Sequence, residues 1–173
     1  MGSWRRRKGY VRHIMEYEKV EVNSERWFDL TPLLNEEFRD IIGYENLYQI
    51  SNYGRVKSLE RYKQQIRKNK TINVFQKEKI LLQVQKDSFY YTIALYNNKR
   101  RKDIKVHILV ANAFLNKNDI KKIDESDKMI IEVNHKDENK SNNMFYNLEF
   151  CTKRYNCNYG TRIERIQKTK RGD

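Results

Sequence analysis

The chain has 173 residues, a formal net charge of +13, and 38% hydrophobic against 34% charged residues. That length suits one domain of ordinary size or two small ones, and the charge attracts a polyanion, nucleic acid before an anionic membrane surface. No apolar run approaches the ~20 residues that cross a bilayer, and no apolar stretch follows the basic start as in a secretory signal, so an intracellular protein is expected.

Arg5, Arg6, Arg7, Lys8 and Arg12 form a basic block with no acid among them. It is either a solvated terminus or a phosphate-contacting arm. Trp27, Phe28, Leu30, Leu33 and Leu34 flank the only proline, Pro32, and are expected to dock on the rest of the chain, partly as a short helix. From Gly43 to Leu59 the pattern is two short strands around the turn Ser51-Asn52-Tyr53-Gly54, with Gly54 free to take positive φ. Arg55, Val56, Lys57, Ser58 and Leu59 alternate polar with apolar, as a half-solvated strand does. Arg55 and Lys57 are thereby expected to face outward, toward DNA.

Arg61, Lys63, Arg67, Lys68 and Lys70 fall in a stretch without acids, read as a flexible loop or a phosphate track. Phe89, Tyr91, Ile93 and Leu95 then share one face of the clearest strand in the chain, and the segment from Arg100 returns as its hairpin partner. Val106, Leu109, Val110, Ala113 and Phe114 recur at helical spacing. His107 lies beside that stripe and reads as a core or capping residue. Residues 116–128 read as a charged linker without periodicity.

Ile130, Ile131 and Val133 make a β-branched strand running into Asn134-His135. Leu148 and Phe150 make a second strand, and Thr152 can cap a helix carrying Arg154 and Asn156. One imidazole amid amide oxygens, in a basic background, suits metal-dependent phosphodiester cleavage. A neutral imidazole, with its unperturbed pKa of ~6.5, can take a proton from water; His135 is the candidate base. Hard cations prefer oxygen ligands; Asn134 and Asn156 are the candidate metal ligands. Cys151 and Cys157 are too few for a disulfide framework and lack the paired spacing of structural zinc. Two reduced thiols are expected there, and zinc is not.

Residues 106–157 resemble the HNH endonucleases of phage and intron-homing kind. The matching residues are Val106-His107-Ile108-Leu109-Val110-Ala111, Val133-Asn134-His135-Lys136-Asp137, Asn139-Lys140, Asn142-Asn143, Asn147-Leu148 and Asn156. Residues 38–59 resemble the NUMOD-type DNA-binding module that commonly precedes such nucleases, through Gly43-Tyr44-Glu45, Leu47-Tyr48, Ser51-Asn52 and Gly54-Arg55-Val56. The resemblance implies an α+β protein: a small antiparallel β DNA-binding module followed by a ββα-metal nuclease unit. It implies His135 as general base, Asn147 as brace of the loop carrying it, and Asn134 and Asn156 on one divalent metal, Mg²⁺ or Mn²⁺. Asn134 stands where many members have an aspartate.

The expected organisation is a basic extension over 1–36, the DNA-binding module over 37–96, the nuclease unit over 97–160 and a basic helix or tail over 161–173. The expected partner is double-stranded DNA, with no membrane and no small-molecule substrate. Its candidate contacts are Arg55, Lys57, Arg61, Lys63, Arg100, Arg101, Lys153, Arg154 and Arg162. A monomer or weak dimer, cytoplasmic in a bacterial host, completes the expectation.

Overall fold

The computed structural model describes residues 16–68, 70–85, 89–98, 100–124, 126–127 and 129–171. Arg5, Arg6, Arg7, Lys8 and Arg12 lie outside these, as does the side chain of Arg162. The elements in chain order are α1 (Glu25–Phe28), β1 (Phe38–Asp40), β2 (Tyr48–Ser51), β3 (Val56–Ser58), β4 (Arg61–Arg67), β5 (Lys70–Gln76), β6 (Lys79–Ile80), β7 (Val84–Gln85), β8 (Tyr91–Asn97) and β9 (Arg100–Lys105). Then follow α2 (Val106–Phe114), β10 (Ile120–Lys121), β11 (Ile131–His135), β12 (Leu148–Thr152), α3 (Lys153–Asn158) and α4 (Arg162–Arg171). The class is α+β, with mostly antiparallel sheets.

Strands β1, β2, β3 and β6 form one sheet in that order, and β2 and β3 are the hairpin read from the sequence. Its turn closes through Gly54 N–H to Ser51 O at 2.9 Å, while Ser51 Oγ accepts from the Arg55 N–H at 3.0 Å. Gly54 sits at φ +93°, where an L side chain is strained. A second sheet runs β7-β8-β9 and a third β10-β12-β11. The parts share one hydrophobic core: Ile50 and Val56 from the first sheet, Ile93 and Leu95 from β8, Val106 and Val110 from α2, and Leu148 from β12. Each such burial stabilises by roughly 1.5–3 kcal/mol, so the β module and the C-terminal unit support one another.

Four expectations need correction. Arg55 does not face outward: its side chain is 0% exposed and ion-paired with Glu36, itself wholly buried. Its Nε donates to Glu36 Oε1 at 2.8 Å, and its Nη atoms reach the carbonyls of Trp27 at 3.0 Å, Asp29 at 2.6 Å and Thr31 at 3.3 Å. The fork is thus saturated and ties the segment around α1 onto the sheet. The stretch 61–70 is not a loop: β4 and β5 pair from Arg61↔Gln76 to Arg67↔Lys70 as a two-stranded ribbon. Both its faces mix polar with apolar side chains, so no period-two hydrophobic signal marked it, and Ile66 remains 74% exposed. Phe89 does not join the inner face of β8; it precedes the strand at φ 59° and is 72% exposed. The segment 116–128 contains β10, which pairs in parallel with β12, Ile120 opposite Phe150.

Candidate catalytic site

The site is assembled on β11, the loop after it, β12 and α3. The β11–β12 register sets His135 opposite Leu148, Asn134 opposite Glu149 and Glu132 opposite Cys151. Strand alternation puts Glu132 and Asn134 on one face with Glu149, and His135 on the other. Thr152 ends β12 and caps α3 by accepting from the Tyr155 N–H at 3.2 Å. Its own hydroxyl donates to Asp127 at 2.9 Å, so the linker also helps place the helix.

The amides of Asn134 and Asn156 are oriented by carboxylates. Asn134 Nδ2 donates to Glu149 Oε1 at 2.8 Å, and Asn156 Nδ2 donates to Glu132 Oε2 at 2.6 Å. With each nitrogen committed, each Oδ1 is the atom left to meet a cation, and two carboxylates stand one bond behind. Glu132 and Glu149 are not among the residues expected at the site. The period-two spacing from Glu132 to Asn134 was visible, but the cross-strand partner Glu149 depends on register.

The loop carrying His135 is wired by amides. Asn147, buried in a short 3-10 turn, accepts from the Asp137 N–H at 3.1 Å and donates to Asp137 Oδ1 at 2.8 Å and Asn142 O at 2.9 Å. Its carbonyl accepts from the Lys136 N–H at 2.8 Å. Burial pushes the Asp137 carboxyl up, but hydrogen bonds from Asn142, Asn147 and the Asn139 N–H outweigh it and hold the group below its usual range. Asp137 therefore stays ionised at the centre of the loop.

His135 is 4% exposed. Its Nε2 lies 3.2 Å from Oδ1 of Asn143, another buried amide, to which the motif alone assigns no role. Its ring stands 5.1 Å from that of His107 and 5.9 Å from that of Tyr90. Burial lowers the His135 pKa, opposed by the bond to Asn143 and the charge of Asp137, so the ring is neutral at physiological pH. His107 shares with Tyr90, Lys105, Glu132 and Asn156 a cavity of about 720 Å³. The ammonium groups of Lys105 and Lys140 lie 4.6 and 5.0 Å from the Tyr90 ring centre, so positive charge borders the imidazole pair.

Burial, aided by His135 and Lys105, pushes the His107 pKa down to about 3. Below ~6.5 the unfolded chain therefore binds a proton that the folded chain refuses, and stability falls with pH by up to ~1.4 kcal/mol per unit. Urea titrations at stepped pH should show this slope, which His107→Phe flattens. An equal slope in both proteins would contradict the burial.

The candidate DNA contacts separate by environment. Arg100 and Lys153 are exposed. Arg101 is exposed but paired with Asp103 at 2.9 Å, and Arg154 is paired with Asp124 at 2.9 Å and Asp127 at 3.2 Å. Lys57 is half-buried with its ammonium 4.3 Å from the Phe38 ring centre. Arg61 is half-buried and donates to the carbonyls of Leu47 and Leu59 at 3.0 and 2.8 Å. Desolvation and neighbouring positive charge lower the pKa of Lys63. Cys151 is buried, and burial pushes its thiol up to about 12, which keeps it protonated and unsuited to a metal.

Residues 36–96 match the NUMOD4 motif. The chain is 35% identical over 120 residues to DNA endonuclease I-HmuI of Bacillus phage SP01, an alignment covering 69% of this chain and 55% of that protein. The match thus spans little more than half of the relative's length. A solved structure described as DNA binding and cleavage by the HNH homing endonuclease I-HmuI aligns with a TM-score of 0.42 and 30% identity, over 79% of this chain and 59% of that one.

Proposed function

We propose that this chain, which carries a NUMOD4 motif and is similar to a phage HNH homing endonuclease, hydrolyses phosphodiester bonds in double-stranded DNA. The observation that supports it best is a buried imidazole held on a braced loop of the same strand–loop–strand–helix unit that carries two asparagines whose amide nitrogens are tied to glutamates. His135 takes the proton of the attacking water. Asn147 keeps the loop from shifting, and Lys105 and Lys140 meet the negative charge of the scissile phosphate.

The donor set fits one hard divalent cation, Mg²⁺ or Mn²⁺: oxygen atoms of Asn134 and Asn156, with Glu132 and Glu149 orienting them. Such an ion supplies charge stabilisation for the phosphate and the leaving 3′ oxygen. Asn134 is neutral where a carboxylate would add charge, so Asn134 and Asn156 by themselves would hold such an ion weakly. One site per chain makes a nick the expected product of a monomer, and a bacterial cytoplasm is the expected setting.

Supercoiled plasmid with Mg²⁺ or Mn²⁺ should relax to nicked circles, and EDTA should abolish the reaction. The neutral Asn134 also favours a second reading, a DNA-binding protein whose nuclease unit has decayed. Tight duplex binding without nicking under either metal selects that reading. Preference for RNA over duplex DNA at fixed salt would reject both.

A further inference from the structure

The Ser51-Asn52-Tyr53-Gly54 turn belongs to the NUMOD4 stretch, yet its surroundings are those of the catalytic loop. The Asn52 carbonyl accepts from the Phe145 N–H at 2.9 Å. A Cβ added at Gly54 would stand 3.2 Å from Cβ of Asn143 and 3.4 Å from Cγ1 of Val106, so a side chain there, already strained at φ +93°, would push Asn143 back by a few tenths of an ångström. The Gly54 carbonyl accepts from Gln83 Nε2 at 2.6 Å, and the Asn52 side chain bonds the Glu37 N–H at 3.1 Å and the Asn35 carbonyl at 2.9 Å. The turn is thus held on its far side and offers a fixed seat to residues 143–145.

Asn143 is buried on that seat with Oδ1 facing Nε2 of His135. An amide oxygen only accepts, so the ring proton belongs on Nε2. Among the described residues no protein group bonds His135 Nδ1. We propose that Asn143, seated by the Asn52–Gly54 turn, is the positioning residue that keeps the proton of His135 on Nε2 and leaves Nδ1 as the basic nitrogen. This rests on the nuclease reading only where it concerns turnover. There, Nδ1 takes the water proton and the ring becomes an imidazolium still donating through Nε2 to Asn143. The N-terminal module then has a second task, since its turn sets the geometry of the base.

The test uses the full isotope-labelled chain at neutral pH without metal. Long-range proton–nitrogen correlation of the imidazole rings distinguishes the two tautomers, and the His135→Ala spectrum assigns the signals. Wild type should show His135 protonated on Nε2. Asn143→Leu, of similar size without the acceptor, should lose that preference and nick plasmid about 10- to 100-fold more slowly, with duplex affinity unchanged. Asn143→Asp restores the acceptor and should recover both the tautomer and most of the turnover. Gly54→Ala should move the His135 ring signals.

A wild-type ring protonated on Nδ1 overturns the proposal even if every variant misfolds. So does Asn143→Leu with the wild-type tautomer and rate. Unmoved ring signals in a folded Gly54→Ala reject the seat. If wild type does not nick but carries the Nε2–H tautomer and loses it in Asn143→Leu, the nuclease reading fails while the positioning stands.

Discussion

Arg55→Met should lower stability by about 3–5 kcal/mol, because it strands Glu36 as an unpaired buried charge. For a chain of this size that is a drop of roughly 6–20 °C in melting temperature. Both side chains are 0% exposed, and the guanidinium also serves the carbonyls of Trp27, Asp29 and Thr31. Replacing both partners, Arg55→Met with Glu36→Leu, should recover part of the loss, since no charge is then left buried. The carbonyls remain unserved, so recovery is incomplete. Thermal melts of the two single variants and the double variant give the coupling directly. If Arg55 instead contacted DNA, the single variant would keep its melting temperature and bind duplex with a weaker salt dependence.

His135→Ala should slow nicking by about 10²–10⁴-fold, the usual worth of a positioned general base. Duplex binding should persist, because the buried, neutral imidazole adds no positive charge to hold the phosphate backbone. His107→Phe serves as the contrast: it keeps a ring against His135 and should leave far more activity. Plasmid nicking and duplex binding measured together separate the two effects. Undiminished cleavage by His135→Ala removes it as the base, and abolition by His107→Phe with an active His135→Ala transfers the role.

Local pattern was legible where one element decides it. The hairpin around Gly54, the helix Val106–Phe114, the strands on either side of the Asn-rich loop and the Thr152 cap all follow from period, turn chemistry or a hydroxyl at the right place. The ribbon of β4 and β5 was not legible. Polar and apolar residues are mixed on both its faces, so no alternation marks it, and only cross-strand pairing tells it from a charged loop.

The sequence by itself determined the chemistry available: one imidazole at a strand end, amide oxygens at set intervals and a large excess of positive charge. Only the tertiary structure decided which groups hold which. The alternation that marked Arg55 as outward-facing continues through β3, which it directly precedes, but the segment around α1 folds over Arg55 and makes it interior. Asn143 was one asparagine among several until the turn at Gly54 pressed it against His135. Glu132 and Glu149 became orienting groups for Asn156 and Asn134 only once β11, β12 and α3 were in register. The physical reason is the same in each case. A polar residue type states what bonds it can make, while its role depends on which partner lies within about 3 Å, and those partners come from distant parts of the chain.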